Sequence, residues 1–284
     1  MITGKTKLAG VIGWPVAHSL SPPLHGFWLN RLGVDGAYLP LPVHPEDLRD
    51  VLNCLPKIGF SGFNVTIPHK ERVLNLCDTV DETAEAIGAV NTVQIVDGRL
   101  HGSNTDGFGF LENLKATVDP GPHLLKPALI LGAGGAARAI SHALLNADVP
   151  EVRLTNRTKA RAENLARALG TNTSVVDWEK KTEALEDIGL LVNTTSLGMI
   201  GQPPLKFSLD GLGSKSLVAD IVYAPLKTDL LKEAENRGNP TVDGLGMLLH
   251  QARPGFELWF GRAVVIDDML RTHVLEHLRV RDGK

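Results

Sequence analysis

Ala128-Leu129-Ile130-Leu131, followed at once by Gly132-Ala133-Gly134-Gly135-Ala136-Ala137-Arg138, constrains this chain more than any other stretch. Four apolar residues read as a buried strand, and Ile140, Leu144 and Leu145 continue as the apolar stripe of a helix. Strand, glycine turn and helix in that order can hold a dinucleotide. Gly132 permits the sharp turn and Gly134 lets backbone N–H groups approach a pyrophosphate. Ala137 takes the third small position, where helix and strand pack closely. The phosphates then lie at the positive end of the helix. The plainer alternative, a helix start that merely packs tightly, accounts for the glycines but not for their place between strand and helix.

The next strand selects the dinucleotide. Val152-Arg153-Leu154-Thr155-Asn156-Arg157-Thr158 ends about twenty-five residues beyond Gly132, where an NAD-binding unit carries an acidic residue for the ribose 2′-hydroxyl. Here Asn156 and Arg157 occupy that place, with Thr158, Lys159 and Arg161 behind them. A carboxylate would repel a 2′-phosphate, whereas a guanidinium pairs with one bidentately. Solvated surface bases are the alternative, but cations at a helix N-terminus oppose its dipole. NADP is therefore expected over NAD.

At 284 residues the chain accommodates two domains of ordinary size. A net charge of −3 gives no reason to expect nucleic acid or an anionic membrane as partner. Cys54 and Cys77 match no metal spacing and are expected to be reduced, buried thiols of a cytoplasmic protein, and no metal site is expected. The start, Met-Ile-Thr-Gly-Lys, passes directly into a strand pattern, so no signal peptide is expected. No apolar run is long enough to cross a bilayer.

Along the chain, Leu8–Gly13, Ala37–Leu41 and Gly62–Thr66 read as strands alternating with helices, which implies a mostly parallel sheet covered on both faces. Ser21 reads as a helix N-cap followed by Pro22 at the first helical position. Asp97-Gly98 turns a hairpin between residues 91–96 and 99–102. A helix after Asp106 links to the dinucleotide strand through Pro120-Gly121-Pro122. Residues 190–196 and 217–222 read as buried parallel strands, and 228–237 as a helix. The helix opening at Asp243-Gly244 is expected to kink or break at Pro254-Gly255. The expected fold is α/β with two α/β domains. A discontinuous substrate domain of residues 1–105 and 245–284 has a mostly parallel sheet, and residues 106–244 form a Rossmann-type NADP-binding domain. The crossings at 102–107 and 242–246 are the expected hinges for closure around a substrate.

Polar residues gather where the strands of the first domain end: Ser19 and Ser21, Asn64, Thr66 and Lys70, then Asn91, Asn104 and Asp106. Hydroxyls, amides and a lysine suit a polyhydroxylated carboxylate bound outside the carboxyl ends of a sheet. Each alone has a plain structural alternative as a cap or turn residue. Hydride transfer to a ketone needs a proton donor at the developing alkoxide, and Lys70 with a carboxylate such as Asp106 can supply it. His18, His69 and His250 are rival acid–base candidates, with His18 first among them.

Ser19-Leu20-Ser21-Pro22, Asn64-Val65-Thr66-Ile67-Pro68-His69-Lys70, Gly88-Ala89-Val90-Asn91-Thr92, Asn104-Thr105-Asp106-Gly107, Gly132–Ala136, Asn156-Arg157-Thr158 and Asp243–Gln251 occur in this order. Together they resemble the shikimate dehydrogenases over nearly the whole chain. That resemblance implies NADPH-dependent reduction of 3-dehydroshikimate to shikimate in aromatic amino-acid biosynthesis. It implies Lys70 and Asp106 as the catalytic pair, and Ser19, Ser21, Asn64, Thr66, Asn91, Tyr223 and Gln251 as substrate contacts. Gly132, Ala133, Gly134, Gly135, Ala136, Asn156, Arg157, Thr158 and Arg161 match the family's cofactor site, with Gly244 and Met247 at its nicotinamide end. Trp14 stands where many members carry Asn. The small-molecule partner is thus shikimate or 3-dehydroshikimate, with a homodimer as the assembly the resemblance allows. Rival readings are a quinate/shikimate or amino-shikimate dehydrogenase and, from another class, a non-catalytic NADP-sensing regulator.

Overall fold

The computed structural model describes residues 2–281. The chain divides into two compact units, with crossings after Thr105 and after Leu248. The second crossing falls inside a helix rather than at 244/245, because that helix runs unbroken through the boundary.

In chain order the first unit holds β1 (Lys7–Gly13), α1 (Ser21–Arg31), β2 (Gly36–Pro42), α2 (Leu48–Cys54), β3 (Phe60–Val65), α3 (Lys70–Leu74), β4 (Thr79–Val80), α4 (Glu82–Ile87), β5 (Thr92–Val96) and β6 (Arg99–Ser103). Its sheet runs β2-β1-β3-β5-β6-β4. β1 pairs in parallel with β2 and β3, while β5 pairs antiparallel with β3 and β6. The sheet is therefore mixed: the Asp97-Gly98 turn, with positive φ at both residues, folds β5 back on β6. Ile12, Phe63, Val65 and Val93 face Leu48, Leu52 and Val73 in one core cluster.

The second unit begins with α5 (Asp106–Thr117) and α6 (Gly121–Leu124). Then come β7 (Ala128–Leu131), α7 (Gly135–Asn146), β8 (Val152–Thr155), α8 (Lys159–Leu169) and β9 (Thr173–Val176). It finishes with β10 (Leu190–Asn193), β11 (Leu217–Asp220), α9 (Asp229–Asn236) and β12 (Thr241–Val242). Its sheet is all parallel in the order β12-β11-β10-β7-β8-β9. From β7 the chain winds out through β8 and β9, then returns to β10 on the other side. The order reverses between β7 and β10, and ligands bind at such a switch point. Leu129 and Leu131 point to one core and Ile130 to another, the alternation of strands buried on both faces.

α10 (Gly244–Phe260) begins in the second unit and ends in the first, and α11 (Asp268–Arg281) follows. α10 does not break at Pro254-Gly255. Proline removes one helical N–H and crowds the preceding turn. Beyond it, however, Phe256, Trp259 and Phe260 are all buried, and their packing outweighs the local loss. Two smaller expectations also fail. Ser21 is the first helical residue and Leu20 the cap, with the Ser21 N–H bonded to Ser19 Oγ at 3.2 Å. Cys54 is exposed at the end of α2, while burial pushes the half-buried Cys77 thiol up to about 12.

Candidate active site

The first unit brings its polar set to the carboxyl ends of β1 and β3 and to the neighbouring start of β5. Asn64 is buried near the end of β3, and its carboxamide is held on both sides. Tyr38 Oη donates to Asn64 Oδ1 at 2.6 Å, while Asn64 Nδ2 donates to the Asn91 carbonyl and to Thr92 Oγ1. Burial keeps the Tyr38 phenol protonated, and Ser21 is its second side-chain partner. Asn91 Oδ1 accepts from the Thr105 N–H at 2.9 Å, and Asn91 Nδ2 donates to Thr105 Oγ1 and Gln251 Oε1. Ser21, Asn64, Asn91 and Gln251 thus belong to one connected polar wall, with Ser19 beside it at the start of α1.

Thr66 and Lys70 come from the segment joining β3 to α3, which is fixed at nearly every residue. The Thr66 N–H bonds the Ile12 carbonyl, Ile67 O accepts from Trp14 N, and Lys70 O accepts from Val90 N. His69 is fully buried with Nε2 2.8 Å from the Val43 carbonyl. Its ring is an anchor for the segment and is closed to a substrate, which removes it as an acid–base rival. His18 is exposed. Lys70 is half-buried as the first residue of α3, and Asp106 is buried as the first residue of α5 in the second unit.

In the second unit, Gly132 has φ +117, and a Cβ there would meet Thr194 Oγ1 at 2.5 Å. Only glycine lets β7 turn this close to the loop after β10. Gly134 caps α7 with no side-chain bond, and a Cβ on Gly134 or Gly135 would meet nothing within 4 Å. The first turn of α7 thus presents its N–H groups beside open space, and it carries no acidic residue. Ala133 and Ala136 are half-buried on either side. This cradle fits a pyrophosphate. At the end of β8, Asn156 Nδ2 donates to the Thr158 carbonyl at 2.9 Å and shapes the loop that displays Arg157, Thr158 and Arg161, all exposed. Lys159 instead pairs with Asp177 at 2.6 Å, so it is engaged elsewhere. Tyr223 is half-buried in the loop after β11, and Gly244 and Met247 are buried in the first turn of α10.

Sequence reasoning passed over Tyr38, Thr92 and Thr105, which orient the amides. Their local signal is an ordinary strand or turn position, because Tyr38 and Thr92 meet Asn64, and Thr105 meets Asn91, across a dozen or more residues of chain. His25 was also missed. It stacks on Tyr38 at 3.9 Å with planes 4° apart, fully buried among Trp28, Phe256 and Trp259.

Three family models match in order along the chain. They are the shikimate dehydrogenase substrate binding domain over residues 11–93, shikimate / quinate 5-dehydrogenase over 121–200, and the shikimate 5′-dehydrogenase C-terminal domain over 244–272. A shikimate dehydrogenase (NADP(+)) of Paramagnetospirillum magneticum is 56% identical over 275 residues, covering 96% of this chain and 100% of that one. A crystal structure of shikimate dehydrogenase in complex with NADP+ aligns with TM-score 0.90 at 34% identity, over 98% of each chain. Quinate dehydrogenase from Corynebacterium glutamicum in complex with NAD aligns with TM-score 0.89 at 30% identity, over 95% of this chain and 99% of that one. On this identity across nearly its whole length, the chain belongs to the shikimate dehydrogenase family.

Proposed function

We propose that this chain catalyses the reversible NADPH-dependent reduction of 3-dehydroshikimate to shikimate. The observation that carries the reading is a pairing within one chain. The first unit holds a fixed wall of amides and hydroxyls and a half-buried Lys70, and the second an acid-free glycine cradle followed by an exposed Arg157. Its relatives named for NADP-dependent shikimate dehydrogenase support the same reading.

Bound NADPH supplies the hydride that reduces the carbonyl carbon. The chain's own residues do the rest. Lys70 gives a proton to the carbonyl oxygen as it becomes an alkoxide and takes it back in the oxidation direction, while Asp106 keeps the ammonium charged and oriented. Ser19, Ser21, Asn64, Thr66, Asn91, Tyr223 and Gln251 bind the substrate's hydroxyls and carboxylate. Backbone N–H groups of Gly132–Ala136 hold the pyrophosphate, and Asn156, Arg157, Thr158 and Arg161 hold the adenosine end with its 2′-phosphate. Gly244 and Met247 line the nicotinamide end. We place the enzyme in the cytoplasm; among the described residues no helix is long and apolar enough to cross a membrane. A homodimer is the assembly to test, by light scattering.

Steady-state kinetics with shikimate or quinate, each with NADP+ or NAD+, tests the proposal. The highest kcat/KM is expected for shikimate with NADP+. Preference for quinate with NAD+ would move the chain to the second reading, favoured by its likeness to the quinate dehydrogenase. No turnover with any pair would leave a nucleotide-binding regulator.

A further inference from the structure

Asp220 is the last residue of β11, only 1% exposed, and the proposed reaction gives it no role. Its carboxylate accepts from three donors. Oδ1 takes the Val222 N–H at 2.9 Å and Asn193 Nδ2 at 3.0 Å, and Oδ2 takes Thr228 Oγ1 at 2.7 Å. Burial pushes the carboxyl up to about 6, while the three donors oppose that rise. Asn193 ends β10 directly opposite Asp220, and its own carboxamide accepts from the N–H and the hydroxyl of Thr195 and donates to the Leu197 carbonyl. One buried pair therefore ties down both loops that leave the sheet at the switch-point side.

Each loop abuts a part of the proposed nucleotide site. Gly132 packs against Thr194, the residue after Asn193. Gly244 packs so tightly on the carbonyls of Ile221 and Val222 that a Cβ would overlap them. The segment from Ile221 to Tyr223 is thus pinned from below by Asp220 and leaned on by Gly244.

We infer that Asp220 is a positioning residue for NADP, its carboxylate fixing the Ile221–Tyr223 backbone beside Gly244 against which the nicotinamide end is held. The inference rests on the proposed NADP site, so its test reads cofactor binding directly as well as turnover. Calorimetric titration of NADP+ into the full chain and steady-state kinetics with shikimate are run on wild type and four variants. Asp220→Ala loses all three bonds and should raise both the Kd and the KM for NADP+ at least about tenfold, leaving the KM for shikimate within about twofold. Asp220→Asn still accepts from Val222, and Thr228 Oγ1 can turn to accept from its amide, so it should restore NADP+ affinity to within about threefold. Thr228→Val cuts the third bond without touching Val222; it should melt earlier yet keep NADP+ affinity within about twofold. If Asp220→Ala fails to fold, Asp220→Glu takes its place. It keeps the charge, displaces the Val222 contact by one methylene, and should weaken NADP+ binding while sparing shikimate.

A folded Asp220→Ala, or Asp220→Glu in its stead, that binds NADP+ as wild type does would overturn the inference. So would a uniform loss toward both NADP+ and shikimate, which marks a merely structural residue. Wild type that binds NADP+ but turns over no shikimate would overturn the proposed reaction alone, and the Kd series would still decide Asp220.

Discussion

Lowering the pH from 7 to 5 should weaken the first unit chiefly through His25, and His25→Phe should remove the larger part of that weakening; His69, buried in the same unit with its pKa also lowered by burial, acts in the same direction. Both ring nitrogens of His25 are buried without a hydrogen-bond partner, and burial alone lowers its pKa to about 3 from the usual 6.5. A shift of this size is worth about 5 kcal/mol in full, at ~1.4 kcal/mol per unit. The sign follows from proton counts. Between about 3 and 6.5 the unfolded chain binds a proton that the folded chain excludes, so stability falls as pH falls through that window. From pH 7 to pH 5 the loss comes to about 2 kcal/mol. Urea unfolding followed by tryptophan fluorescence reads it, because Trp14, Trp28 and Trp259 lie in the first unit and Trp178 alone in the second. With a slope of about 2–3 kcal/mol per molar urea, the His25 share alone should drop the wild-type midpoint by about 0.7–1 M more than that of His25→Phe. Phenylalanine adds bulk, but any overpacking is the same at both pH values and leaves the difference untouched. Equal midpoint shifts in wild type and variant would refute the buried neutral imidazole.

Other outcomes follow from the same structure. Asp220 carries the opposite sign: its folded pKa of about 6 lies above the usual 3.8, so its contribution is greatest below that lower value and is lost as pH rises through 6. Relative to Asp220→Asn, wild type should gain about 1 kcal/mol between pH 7 and 5, measured as a difference in unfolding free energy. Arg157→Ala should weaken NADP+ by about 2 kcal/mol and leave NAD+ nearly unchanged in paired titrations, and equal losses would remove Arg157 from the 2′-phosphate site. Lys70→Ala should cut kcat by about 10²- to 10⁴-fold with a modest change in KM, whereas a raised KM at near wild-type kcat would make Lys70 a binding residue. Gly62→Ala puts a Cβ onto the Trp259 indole nitrogen and the Val93 carbonyl, which are themselves bonded at 2.9 Å. Overpacking and the severed bond together should cost at least about 2 kcal/mol, visible as an earlier melt.

What the sequence disclosed was local chemistry. β7, the Gly132 turn and α7 were legible because the strand, the turn residues and the helical stripe are contiguous, and the Asp97-Gly98 hairpin was legible for the same reason. Missed elements have weak patterns: β4 is two residues long, and α4 buries only Ala84 and Ile87. Pro254 misled because a local rule was applied where distant packing decides. The site divides the same way. Residue types and their order were readable, but the partners that aim them were not: Asn64 and Thr92 lie 28 positions apart, and Asn91 and Gln251 160.

Those partners give the polar wall a direction. From Tyr38 the hydroxyl donates to Asn64, Asn64 to Thr92, Thr92 to Asn91, Asn91 to Thr105, and Thr105 to the Gln251 carbonyl. Two backbone groups forbid reversal. The Asn91 carbonyl can only accept, so it takes Asn64 Nδ2; the Thr105 N–H can only donate, so it takes Asn91 Oδ1. Both donor positions of Asn64 are therefore spent, and Oδ1 has already accepted from Tyr38. One lone pair of that oxygen is left for a ligand. Under the proposed reaction, Asn64 can receive a substrate hydroxyl but cannot donate to a carbonyl or carboxylate oxygen. A substrate group without a proton there would meet lone pair against lone pair in a buried site, where an unmade bond costs about 1–3 kcal/mol. The wall thus discriminates by hydrogen-bond polarity as well as by shape, and the Asn91 carbonyl, by fixing the Asn64 amide, sets that polarity.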